Sequence, residues 1–205
     1  MLHWVHHCEK RRGRIQATLD SLDESDIGEY EVRLSPPGSI TEQNEWWMER
    51  LLEYSGMCDW FVRFEDDVLV NRHIAENVEK WRAREDPRFG VGLLFYPDTY
   101  KSNRDPVTNE YGSHVVTMWG ALGVVFRSEV VPTIVEELRK RPTHPKVVMF
   151  DGCLQRAVLR CELRTYVHLP SLVTGAQLSH ESAWRGIAGR HNGLGFDADW
   201  RHPGH

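Results

Sequence analysis

The sequence predicts an α/β protein: a Rossmann-type, mainly parallel sheet flanked by helices, in a single domain. Three observations carry this. Strand-like and helix-like patterns alternate through the first half of the chain, the order that builds parallel sheets with helical crossovers. Several strand candidates are continuously apolar, as inner strands are. The chemically richest segments fall just past strand ends, where ligands bind in such sheets. The domain is expected over residues 1–185, with an irregular tail over 186–205 rich in Gly, His and Arg.

Leu2 to His7 reads as the first strand, and Arg11 to Leu22 as a helix with Ile15, Leu19 and Leu22 at helical spacing. Tyr30 to Leu34 reads as a strand stopped by Ser35-Pro36-Pro37-Gly38. Thr41 is the expected cap of a helix from Glu42 to Ser55, ended by Gly56. A third strand spans Trp60 to Phe64, and Asn71 is expected to cap a helix from Arg72 to about Arg84. Phe89 to Phe95 is a strand, and Tyr96 to Ser113 a long polar loop. Val115 to Phe126 contains a strand whose two glycines suit close backbone approach or a bulge. Helices follow from Ser128 to Lys140, with Ser128 as cap, and from Phe150 to about Cys161. Short apolar segments lie at Tyr166 to Leu169 and Leu172-Val173.

The 205-residue chain has a net charge of −5, which gives no reason to expect nucleic acid or an anionic membrane as partner. No apolar run approaches the ~20 residues of a membrane span, and the N-terminus lacks the features of a signal peptide. The expectation is a cytoplasmic chain. The cysteines, Cys8, Cys58, Cys153 and Cys161, show no metal-binding spacing and are expected to be free, mostly buried thiols.

The run Trp60-Phe61-Val62-Arg63-Phe64-Glu65-Asp66-Asp67-Val68-Leu69-Val70 places three carboxylates between two apolar stretches. Buried carboxylates need a partner or a cation. Unit charges about 4 Å apart repel by roughly 4 kcal/mol at an effective dielectric near 20. An oxygen-rich acidic site of this kind suits Mg²⁺ or Mn²⁺; the same triplet also reads as a solvated strand end.

Phe64-Glu65-Asp66-Asp67-Val68, preceded by Asn44-Glu45-Trp46-Trp47 and followed by Trp119-Gly120-Ala121-Leu122-Gly123 and Phe150-Asp151-Gly152-Cys153-Leu154, resembles the GT-A class of nucleotide-sugar-dependent glycosyltransferases over about residues 2 to 184. It is similar to the fringe and β-1,3-galactosyltransferase group and to the branching N-acetylglucosaminyltransferases with a Glu-Asp-Asp motif. The resemblance implies a metal-dependent transfer from a nucleotide-diphospho-sugar, a UDP-sugar, to the hydroxyl of a glycan or other acceptor, with inversion. It implies Asp67 as direct metal ligand, with Glu65 and Asp66 contacting the donor or supporting the metal, and Asp151 as general base; a carboxylate at a helix start is equally an N-cap. Trp119 and Gly120 would line the sugar pocket. The loop after the first strand would meet the nucleotide through His7, Glu9, Arg11 and Arg14. The C-terminal histidine of related enzymes is missing: Leu172-Val173-Thr174-Gly175 stands in its place. His180, or else His168, is left as the further metal ligand. A metal-dependent nucleotidyltransferase or phosphohydrolase, and a non-catalytic sugar-nucleotide-binding module, are the alternative readings.

Overall fold

A computed structural model describes residues 1–8, 15–97, 106–115, 121–140, 150–176 and 193–203, the side chains of Cys8, Ile40, Phe150 and Asp151 excepted. The elements run β1 (Leu2–Cys8), α1 (Ile15–Asp23), β2 (Glu31–Ser35), α2 (Ile40–Ser55), β3 (Trp60–Glu65), β4 (Val68–Val70), α3 (Ile74–Glu79), β5 (Phe89–Leu93), β6 (Val107–Asn109), β7 (Gly112–Val115), β8 (Gly123–Arg127), α4 (Val131–Lys140), α5 (Phe150–Arg160), β9 (Arg164–Val167) and β10 (Val173–Gly175). Short 3₁₀ turns occupy Arg82–Glu85 and Ser128–Val130.

Eight strands form one sheet in the order β2-β1-β3-β8-β5-β9-β7-β6, and β4 pairs with β10 in a separate two-stranded ribbon. β1 is parallel to β2 and β3, and β5 to β9. β8 lies antiparallel between β3 and β5, and β7 antiparallel between β9 and β6. Within the eight-stranded sheet every strand but β8 and β7 therefore points the same way, and the expected parallel character holds in direction while the pairing is mixed. The C-terminal ends of β1, β3, β5 and β9 share one edge, the edge where such sheets take ligands.

Side-chain alternation sends the core to both faces. On one face Trp4, Phe61, Val91 and Val124 pack against α2 (Trp47, Leu51), α4 (Ile134, Val135) and α5 (Leu154, Val158). On the other, Val5, Val62, Phe64 and Val125 pack with Leu22 of α1, Ile74 and Val78 of α3, and the β4 valines. Gly123 opens β8 where a Cβ would lie 2.9 Å from the Val173 side chain, which is the close approach its sequence suggested.

Several elements depart from the sequence reading. α2 starts earlier than expected and is capped by Ser39, not Thr41: the Ser39 hydroxyl accepts from Glu42 N, and the Glu42 carboxylate accepts from Ser39 N at 2.7 Å. The reciprocal pairing satisfies two end groups at once, which Thr41 could not do. α3 is six residues long, and Asn71 does not cap it. Asp26, from the loop after α1, does so, its two oxygens accepting from Ala75 N and Glu76 N at 2.8 and 2.9 Å. The second half of the expected 96–113 loop is the β6–β7 hairpin, while residues 98–105 lie outside the described set. The 128–140 helix is split into a 3₁₀ turn and α4, with no side-chain cap from Ser128. The expected strand 89–95 ends at Leu93. Cys58, Cys153 and Cys161 are free and half-buried rather than buried.

Candidate functional site at the C-terminal edge of the sheet

β3 ends at Glu65, and Asp66-Asp67 make the tight turn into β4. The turn is anchored on three sides. Thr18 Oγ1 of α1 accepts from Val68 N at 3.0 Å, Ser21 Oγ accepts from Val70 N at 2.7 Å, and Ala176 N, just past β10, donates to Asp67 O at 2.8 Å. The β4–β10 ladder itself pairs Val68 with Gly175. A short strand held this way fixes where the acidic side chains stand.

Strand alternation sends the carboxylates to opposite faces. On the α2 face Arg63 is buried, lies 5.6 Å from the Trp47 ring centroid, and forms an ion pair with Glu65. Its Nη1 donates to Ala121 O at 2.9 Å and its Nη2 to His6 Nδ1 at 2.9 Å. On the α1 face Asp66, 1% exposed, accepts a 2.8 Å hydrogen bond from His7 Nδ1. Asp67, next in the chain, is half-buried. A buried carboxylate without such partners would carry a penalty of several kcal/mol.

His7, Glu65, Asp66 and Asp67 thus come together. α5 precedes β9 and is joined to it by a short reversal, so its first residues, including Asp151, lie at the same edge; the placement is that of the backbone. Glu9, Arg11, Arg14, Trp119, Gly120 and His180 lie outside the described residues, although Ala121, next after Gly120, touches Arg63. His168 is not a ligand candidate here: it is buried, its Nδ1 donates to Pro170 O at 2.7 Å, and its ring meets those of Trp81 and Trp200 edge-on. Burial lowers its pKa to about 4.

The pairings Arg63–Glu65 and His7–Asp66 were not read from the sequence. Their signal was present: two residues apart on one strand, Arg63 and Glu65 must share a face.

The oxygen-only donor set of the triplet suits a hard divalent ion, with Glu65 paired to Arg63 and Asp66 to His7. The fit is to an ion held by Asp67 and completed by oxygens from a ligand. Among the described residues, Asp26, His73 and Glu76 also bring three metal-capable atoms within 4.8 Å of one another. That group sits at the far end of β4, where Asp26 caps α3. Arg201 bonds both His73 (3.0 Å) and Glu76 (3.2 Å), so a cation already occupies the arrangement.

No family model and no curated protein matches the sequence. Solved structures do. A197 from STIV is similar over 100% of both chains, at 17% identity and a TM-score of 0.53, which places this chain in the same α/β fold. Weaker likenesses are to a glycosyltransferase involved in the glycosylation of the major capsid of PBCV-1 (14% identity, 87% of this chain and 95% of that one, TM-score 0.49) and to CMP:2-keto-3-deoxy-manno-octonic acid synthetase complexed with CTP (13%, 82% and 88%, TM-score 0.48).

Proposed function

We propose that the chain is a nucleotide-sugar-dependent glycosyltransferase that moves a sugar from a UDP-sugar to an acceptor hydroxyl. The observation that carries the reading is the Asp66-Asp67 turn, braced at the C-terminal end of β3 beside His7 from β1. In this reading Asp67 would hold Mn²⁺ or Mg²⁺, whose chemistry when bound would be to offset the charge that gathers on the leaving diphosphate. Arg63 keeps Glu65 oriented and neutralised, so that the α2 face adds no repulsion to the incoming phosphates. Asp151, at the start of α5, takes the proton of the attacking hydroxyl. Glu9, Arg11 and Arg14 contribute to the nucleotide subsite, Trp119 and Gly120 to the sugar pocket, and His180 to the ion's shell. Inversion follows from a single displacement.

A screen of nucleotide sugars for thermal stabilisation, with and without Mn²⁺, tests donor class and ion dependence together. The expected result is a rise in Tm for uridine diphospho-sugars that requires Mn²⁺; stabilisation only by nucleoside triphosphates would contradict the reading and favour nucleotide transfer.

A further inference from the structure

An open groove of about 420 Å³ lies at the opposite end of β3 from the acidic turn, lined by Trp60, Glu79, Lys80, Trp81, Arg84 and Glu85. Trp60 opens β3 and Glu65 closes it, so the strand's rise puts the groove roughly 20 Å from Asp67. Trp81 is buried and Trp60 partly exposed. The Arg84 guanidinium lies 4.6 Å from the Trp60 ring centroid, and its Nη1 donates to Val78 O at 3.2 Å and to Glu79 O at 3.1 Å. Its Nε is buried without a hydrogen-bond partner, and among the described residues no carboxylate lies within ion-pair distance of the group. Burial pushes its pKa below the usual value, with Glu79 opposing from further off. Lys80 Nζ donates to Glu76 at 2.8 Å, while the exposed Glu79 and Glu85 carboxylates make no hydrogen bond among the described residues. The groove therefore holds a fixed planar donor, two open acceptors and an aromatic wall.

We propose that this groove is a saccharide-binding site for an uncharged glycan, separate from the acidic edge of the sheet. Two acids and two bases line it, so it has no net attraction for an ion of either sign. An anion would meet the Glu79 and Glu85 carboxylates, and a cation the Arg84 guanidinium. A sugar hydroxyl both donates and accepts, so it uses both kinds of group: the carboxylates as acceptors and Arg84 Nη2 as donor. The apolar C–H face of a pyranose ring packs on the exposed part of Trp60. The site stands independently of the glycosyltransferase reading. On that reading it holds a length of glycan away from the reacting end.

The test uses the full chain and a panel of neutral oligosaccharides, with uronic-acid oligosaccharides as the anionic probes. ¹H–¹⁵N spectra read the indole N–H of Trp60, assigned by its loss in Trp60→Phe. The expected result is a saturable shift of that signal by at least one neutral oligosaccharide and by none of the anionic ones. Glu85→Ala and Arg84→Ala should each weaken binding on the order of tenfold, the worth of one hydrogen bond to a charged group. Glu85 is exposed, so its variant keeps the fold even where Arg84→Ala does not. Asp67→Ala should leave the shift unchanged. The proposal is overturned if no neutral oligosaccharide moves the signal, if the anionic probes bind more tightly, or if Glu85→Ala binds as wild type does. A saturable shift that persists in Asp67→Ala supports it whatever transfer assays return, so the groove and the transferase reading fail separately.

Discussion

At Asp66 and Glu65 the same physical demand has two answers. Each carboxylate is withdrawn from water and each has a cationic or N–H partner on its own face of the sheet, His7 for one and Arg63 for the other. Asp67, next in the chain, is half-buried in the turn into β4. Gln155 is the opposite case. It is 4% exposed on α5, one helical turn after Asp151, and neither its Nε2 nor its Oε1 finds a partner among the described residues. An orphaned buried amide costs about 1–3 kcal/mol. Gln155→Leu is therefore expected to stabilise the fold by roughly 1–2 kcal/mol, measured by urea unfolding. A loss of stability would contradict this.

The elements show why the acidic turn is firm. β4 is only three residues long, too short to hold a position by its own ladder. Its backbone N–H groups are accepted by Thr18 and Ser21, so α1 serves as a bracket for the β3–β4 turn as well as a cover for the sheet. Thr18→Val keeps the volume and removes the acceptor, leaving Val68 N unpaired in the core. The expected cost is about 1–3 kcal/mol, and the Mn²⁺-dependent stabilisation by donor should fall with it; a Tm within experimental error of wild type would contradict the bracket. This role was not legible in the sequence. Thr18 was one polar residue inside a helical pattern, and nothing local linked it to Val68, fifty positions on. What was legible depended on local periodicity: strand β3, helix α2 and the ending at Gly56 were readable from alternation and spacing alone. The α2 cap was misread because Thr41 and Ser39 are both good caps, and only the reciprocal bond to Glu42 distinguishes them.

Over the whole molecule, the directions of the strands make the site possible. With β1, β3, β5 and β9 aligned, their C-terminal ends bring His7, the acidic turn and the start of α5 to one edge. The reversed β8 between β3 and β5 brings Ala121 and Gly123 to the same place. The sequence order foretold the alternation of strands and helices but could not foretell the reversals, because antiparallel insertion is decided by contacts between strands far apart in the chain. Residues 193–203 were expected as part of an irregular tail. They have no helix or strand, yet they are tied into the fold: Asn71 Nδ2 donates to Asp197 O and Trp200 O, Arg72 N donates to Ala198 O, and Ser171 N to Leu194 O. Asn71, expected to cap a helix, is instead the fully buried anchor of that segment.

The central claim is that this edge transfers a sugar and that Asp67 is needed to do it. Mass spectrometry of reactions containing a UDP-sugar, Mn²⁺ and an acceptor panel, run with wild type and Asp67→Ala, tests it most directly. The account predicts release of UDP with a hexose-sized gain on acceptor or water in the wild type, and loss of turnover by at least about a hundredfold in Asp67→Ala. Full activity in Asp67→Ala, or transfer of a nucleotidyl group in place of the sugar, would contradict it.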